Sequence, residues 1–244
     1  MGKIKSFLSA FFCAWILTCL LWAGVSHSAT LNFSGKTWYV KSGAALGPGP
    51  NNWSDQNAWV DATGNLHLKI TNESGVWNCA EVWTEEAFGF GTYKWFVKGR
   101  IDRLDKNVVL GMFNYGDTDG IDEIDIELAK WGLKSNRIGN YTVYPAQSGL
   151  KNMTYPFAVS LNGTASTHRF KWSSNNVTLQ SYRGWSTDRR YMIAQKVYSP
   201  SLFAMYIPQN PLPVHINLWL FEGQAPANGK EVEVVIKKFT FSSN

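Results

Sequence analysis

The sequence predicts an all-β fold, an antiparallel sandwich of short strands. Three observations carry the prediction. Short runs dense in β-branched and aromatic residues recur along the chain, separated by Gly, Asn, Asp and Ser at hairpin-length intervals. A 3.6-residue apolar periodicity is hard to find. No internal repeat or long low-complexity linker divides the chain. The roughly 215 residues that follow an N-terminal leader therefore suit one large β domain better than two, and such a domain buries a sizeable core.

The leader comes first. Lys3 and Lys5 form a short positive start, Phe7 to Ala23 is apolar with few interruptions, and the small-residue stretch Ser26-His27-Ser28-Ala29 follows. That order reads as a secretory signal peptide over residues 1–28, ahead of a domain over 29–244. The apolar run approaches the length of a membrane span, but the small residues after it read as a cleavage site. The mature chain is accordingly expected to be secreted, extracellular or periplasmic, with no membrane contact.

Within the domain, Gly47-Pro48-Gly49-Pro50-Asn51-Asn52 is the strongest loop signal. Strands are predicted at Leu66–Thr71, Val76–Thr84, Phe90–Ile101, Asn107–Tyr115, Ile121–Leu128, Ile138–Tyr144, His168–Trp172, Val177–Tyr182, Val214–Phe221 and Val232–Phe241. Lys196–Ser201 and Ala225–Lys230 read as loops. Hairpin-length gaps between so many strands argue for an antiparallel sandwich. Of the three cysteines only Cys79 lies beyond the leader. No intramolecular disulfide can form, despite the oxidising destination, so packing must carry the stability. Val76, Trp77, Ala80 and Val82 read as strand core, which predicts a buried, inert Cys79 thiol.

Charge excludes some partners. The formal net charge of +5 falls to +3 once Lys3 and Lys5 leave, and Arg189-Arg190 and Lys237-Lys238 are pairs, not runs. No nucleic-acid footprint results. Aromatic content, 15%, is the larger anomaly, with ten tryptophans beyond the leader, from Trp38 to Trp219. Core packing accounts for many of them. A secreted domain this rich in tryptophan also suggests flat apolar platforms for sugar rings.

The decisive stretch is Asp122-Glu123-Ile124-Asp125-Ile126-Glu127-Leu128. A strand alternates faces, so Ile124, Ile126 and Leu128 enter the core while Glu123, Asp125 and Glu127 share the other face, ~7 Å apart in succession. Three carboxylates in a row repel one another, and Asp is a poor strand former. Burial in a concave sheet raises the cost further. Folding alone would not select this arrangement; glycoside hydrolysis would. The Cα atoms of Glu123 and Glu127 lie about 13 Å apart. Two side chains leaning inward bring the carboxyls near the ~5–5.5 Å separation of retaining glycosidases. One carboxylate attacks the anomeric carbon, the other protonates the departing oxygen and then activates water, and Asp125 between them can hydrogen-bond the nucleophile and, by like charge, help keep the acid protonated. The spacing does not say which glutamate does which.

Here the residues carry a resemblance. Asp119-Gly120-Ile121-Asp122-Glu123-Ile124-Asp125-Ile126-Glu127 resembles the active-site strand of glycoside hydrolase family 16, which includes lichenases, laminarinases, agarases, carrageenases and xyloglucan endotransglycosylases. Cys79-Ala80-Glu81 with Phe88 to Tyr93, Asn114-Tyr115, Asn140-Tyr141 and Asn217-Leu218-Trp219 are similar to other strands of that family. The resemblance implies a concanavalin A-like jelly-roll with a concave cleft. It implies Glu123 as nucleophile, Asp125 as its helper and Glu127 as acid/base, and suggests Glu81, Asn140 and Trp219 as sugar contacts. In the strand Ile216 to Leu220, Asn217 and Trp219 share a polar–aromatic face opposite an apolar one, which suits a cleft. The unbulged Glu-x-Asp-x-Glu spacing is similar to the lichenases and endotransglycosylases, whereas other branches carry an extra residue that bulges the strand. Two departures stand out. Trp83 occupies a position where lichenases tend to carry a polar or charged cleft residue, and Cys79 lacks the disulfide partner that many lichenases offer.

The expectation is therefore a secreted, endo-acting, retaining β-glycosidase acting on a polysaccharide, a β-1,3-1,4- or β-1,3-glucan, and acting as a monomer. The chemistry requires no cofactor and no catalytic metal; a structural Ca²⁺ away from the cleft would fit the resemblance, with no ligands named. A transglycosylase on the same fold and a non-catalytic carbohydrate-binding protein are the alternatives, the second having no need of three aligned carboxylates. No Gly-x-Ser-x-Gly elbow, His-Glu-x-x-His, phosphate loop or cysteine metal cluster is present. His67, His168 and His215 stand isolated in strand-like runs and read as structural.

Overall fold

The computed structural model describes residues 29–135 and 137–244; the leader expected over residues 1–28 lies outside them. Seventeen strands run through the described residues. The first five are short: β1 (Thr30–Phe33), β2 (Lys36–Val40), β3 (Gly43–Leu46), β4 (Asn51–Trp53) and β5 (Ala58–Val60). Then come β6 (Leu66–Glu73), β7 (Val76–Phe88), β8 (Gly91–Lys98), β9 (Val108–Tyr115), β10 (Glu123–Leu128) and β11 (Gly139–Val143). The last are β12 (Met153–Phe157), β13 (Ala165–Ser173), β14 (Asn176–Arg183), β15 (Met192–Tyr198), β16 (Leu212–Leu220) and β17 (Val232–Ser243).

They form the expected jelly-roll sandwich. The front sheet is antiparallel in the order β12-β11-β10-β9-β16-β7-β2-β1. The back sheet is antiparallel in the order β5-β6-β17-β8-β13-β14-β15. β6 also pairs with β7, joining the two sheets, and β4 lies parallel to β7.

Period-2 patterning explains the core. In β6, Leu66, Leu68 and Ile70 are buried while His67, Lys69 and Thr71 are less so. In β10, Ile124, Ile126 and Leu128 are sealed between the sheets. Trp38, Trp95, Trp172, Tyr93 and Phe170 are fully buried there as well. Trp38 meets Phe239 edge-on at 5.7 Å between ring centroids, and Tyr93 packs on Phe170 at 4.7 Å. Each buried aromatic or branched side chain contributes on the order of 1.5–3 kcal/mol, which is how the fold dispenses with a disulfide. Cys79 is fully buried, as expected, and its Sγ lies 3.5 Å from Asn51 Oδ1. Burial pushes its thiol up to about 12.

Several elements differ from the sequence reading. Strands β1 to β5, β12 and β15 were not predicted; most are only three to five residues long and are held by the ladders they make with neighbouring strands. Asn51 and Asn52, read as loop, begin β4. Lys196 to Tyr198, also read as loop, complete β15, whose ladder with β14 pairs Val197 with Thr178 and Tyr198 with Val177. The strand that carries the three carboxylates starts at Glu123, not Ile121, because Asp122 sits in the left-handed region at φ 51°. Val76 is exposed at the mouth of a turn instead of lying in the core.

Candidate active site

β10 lies between β9 and β11 on the outer face of the front sheet, and its alternate side chains open into a cleft of about 580 Å³. Glu123, Asp125 and Glu127 all line it, with Asp125 buried in the middle. Lys41, Glu81, Asn217, Trp219, Phe113 and Tyr115 line it too.

Strand register builds the floor in two rows that run across the strands. In the first, Asn140 on β11 faces Glu127, Glu127 faces Gly111 on β9, Gly111 faces Asn217 on β16, and Asn217 faces Glu81 on β7. This row is polar. Gly111 is needed in it: a Cβ there would run into Asn217 Oδ1, closer than real Cβ contacts come. In the second row Thr142, Asp125, Phe113, His215 and Trp83 face one another in turn. This row is aromatic beyond Asp125. The His215 ring stacks between Phe113, at 5.0 Å, and Trp83, at 6.0 Å.

The electrostatics follow from burial. Desolvation, then repulsion from Glu127, pushes Glu123 up to about 8, against a hydrogen bond with Asp125 that favours its ionised form. Burial and its two charged neighbours push Asp125 well above the carboxylate range. The interaction with Glu123 raises Asp125 further. Burial also pushes Glu127 up to about 7, against a hydrogen bond with Asn140.

Glu81 is treated differently. Burial works against its charge, but His215 Nδ1 at 3.0 Å from Oε1 and Lys41 Nζ at 2.8 Å from Oε2 outweigh it and hold the carboxyl below its ordinary range. Lys41 also donates to the Gly47 carbonyl at 2.6 Å, tying the Gly47–Pro50 loop to the cleft end. His215 thus holds a residue of the cleft lining. Glu81 and Trp219 line the cleft as expected, with Trp131 6.3 Å from Trp219 between ring centroids. Asn140 does not line it: its side chain bonds Thr142 Oγ1 at 3.2 Å and supports Glu127 from the side. Lys41 and Tyr144 also line the cleft without a signal in the sequence; Asp119, the first residue of the carboxylate motif, lines it too and accepts from the Tyr115 hydroxyl at 2.8 Å. Among the described residues no group of three or more His, Cys, Asp or Glu side chains is arranged to hold a metal ion.

As a sequence, the chain matches no family model and no curated protein. As a structure, it is similar to a Bacillus licheniformis β-glucanase, at a TM-score of 0.64 and 20% identity over 87% of this chain and 95% of the other. It is similar to a glycoside hydrolase family 16 endo-glucanase from Bacteroides ovatus, at 0.63 and 15% over 84% and 94%. A protein of Mycobacterium tuberculosis described as a pseudo β-1,3-glucanase matches at 0.62 and 18% over 84% and 91%. These likenesses establish the fold. Because the fold also serves a pseudo-glucanase, function has to be argued from the site.

Proposed function

We propose that the chain is a secreted, retaining endo-β-glucanase of the glycoside hydrolase family 16 type, a single catalytic domain that hydrolyses internal linkages of a β-1,3-1,4- or β-1,3-glucan. The observation that carries the reading is the buried carboxylate trio on β10. Three acidic groups on one strand face are costly to hold in a partly desolvated cleft, and binding sugar does not require them. The structural likeness to β-glucanases supports the choice of polymer.

In this reading the Glu123 carboxylate attacks the anomeric carbon as Glu127 gives its proton to the departing glycosidic oxygen. Glu127, now ionised, takes a proton from water, and the water oxygen displaces Glu123 from the anomeric carbon. The Asp125 hydrogen bond supports Glu123 as nucleophile, because it favours the ionised form. The bond from Asn140 supports Glu127 in the second step, when Glu127 must be charged. Glu81 and Asn217 offer hydrogen bonds along the polar row, and Trp219 offers an apolar face.

The test is incubation of the mature protein with lichenan, laminarin and xyloglucan, with the fresh product's anomer followed by NMR. Cleavage of a β-glucan to an initial β-anomer is expected. An initial α-anomer, or binding without cleavage, refutes the reading.

A further inference from the structure

A second cavity, of about 510 Å³, opens in the loops at one end of the back sheet. Asn162, Thr164, Arg183, Trp185, Ser186 and Tyr191 border it, and it shares no residue with the cleft. Trp185 is 48% exposed and Tyr191 47%, an unusual outlay of aromatic surface on a back sheet whose other large rings are mostly in the core.

The Trp185 ring is exposed but not loose. Its Nε1 donates to the Val97 carbonyl at 3.4 Å, and Lys237 Nζ lies over the ring 4.2 Å from its centroid. Lys237 is the extra residue of a β-bulge: the register of β17 against β8 shifts between Ile236 and Lys238, where Ile236 pairs with Val97. Such bulges re-aim side chains, and this one sets Lys237 over the indole face while the Val97 carbonyl meets its N–H edge. The loop itself is pinned. Gly184 takes φ +69°, its N–H donates to Ala165 O at 2.8 Å, and its carbonyl accepts from Thr167 Oγ1 at 2.9 Å. Arg183 Nε donates to Ser160 O at 2.9 Å, fixing the guanidinium at the border.

We propose that this cavity is a second glycan-binding site, which takes a stretch of the same β-glucan outside the cleft; the identity of the polymer rests on the hydrolase reading. A pyranose presents an apolar C–H face and a rim of hydroxyls. The anchored indole and the Tyr191 ring match the first, while Asn162, Thr164, Ser186 and Arg183 match the second. A ring already fixed loses little freedom on binding, which is what makes exposed aromatic surface useful for weak ligands. Among the described residues no carboxylate lines the cavity, so it holds sugar without the means to cleave it. A chain long enough to reach both sites is held near the cleft by effective concentration, and a short oligosaccharide is not.

The experiment is an NMR titration of full-length mature Glu127→Gln with cello- and laminari-oligosaccharides, following the indole N–H resonances, with Trp185→Phe to assign the Trp185 signal. A saturable shift of that signal is expected, together with at least about tenfold weaker retention of Trp185→Ala/Tyr191→Ala on the polymer. A Trp185 signal that stays fixed, whether or not the Trp219 signal moves, overturns the site. Failure of the hydrolase reading is distinct from this: the wild type would leave the polymer uncut while the Trp185 titration still reports on the cavity.

Discussion

Gly111 offers a close test of how the cleft floor is built. It stands between Glu127 and Asn217 in the polar row, and a Cβ added there meets Asn217 Oδ1 well inside van der Waals contact, with Asn217 Cγ and Phe113 Cδ1 both at 3.4 Å. Overpacking typically costs about 1–3 kcal/mol. The obstructing atom is the end of a side chain that can swing into the cleft, so the lower end applies. About 1 kcal/mol lowers Tm by roughly 2–4 °C in a domain of this size. Activity should suffer more, because the displaced carboxamide enters the space a sugar needs; about tenfold lower kcat/KM is expected, the equivalent of one buried hydrogen bond. The decisive variant is the pair. With Asn217→Ala in place the clash is gone, and alanine is worth roughly 0.5–1 kcal/mol over glycine inside a strand or helix. Gly111→Ala should then be neutral or stabilising, with activity still low. Thermal unfolding of the four proteins gives the coupling directly. If Gly111→Ala lowers Tm equally in both backgrounds, Asn217 is not what excludes a side chain from that position.

Two further predictions follow from burial. Glu123 and Glu127 are pushed from 4.5 up to about 8 and about 7, so between pH ~4.5 and 8 the folded protein holds protons that the unfolded chain has released. Stability from this source is therefore full at low pH and lost as pH rises through that window. Glu123→Gln should raise Tm at pH 8.5 and change it little at pH 4; equal gains at both pH values would contradict the electrostatic origin. Cys79, buried and with its thiol pushed up to about 12, should resist a thiol reagent at pH 8 in the folded protein and react fully in denaturant. Rapid labelling without denaturant would show that β7 opens.

What was legible in the sequence is what local periodicity writes. The alternation of Ile124, Ile126 and Leu128 with Glu123, Asp125 and Glu127 fixes two faces without any knowledge of neighbouring strands, and the structure has both. The longer strands were readable for the same reason. Gly43–Leu46 and Asn51–Trp53 were not, since they have no run of β formers and become strands by pairing with each other and with β7. The transverse rows were equally hidden. Glu81, Gly111, Glu127 and Asn217 become neighbours only through the registers of β7, β16, β9 and β10, which chain order does not reveal. Lys41 has no local signal at all; its partner Glu81 is forty residues away. Asn140 is legible as a candidate, but the structure places its side chain against Thr142 and opposite Glu127, outside the cleft lining.

The central claim, a nucleophile at Glu123 and an acid/base at Glu127, is tested most directly by azide rescue. Glu127→Ala keeps the nucleophile, so an aryl β-glycoside with a good leaving group, which needs little protonation, should still form the glycosyl-enzyme. Without a base that intermediate stalls, and azide should release it as a β-azide. General acid–base help is worth roughly 10²–10⁴-fold, so both the loss and the rescue should be large enough to measure. Glu123→Ala should give no β-azide from the same substrate. A β-azide from Glu123→Ala and none from Glu127→Ala would exchange the two roles, and a β-azide from neither, with both variants folded, would contradict the double-displacement account.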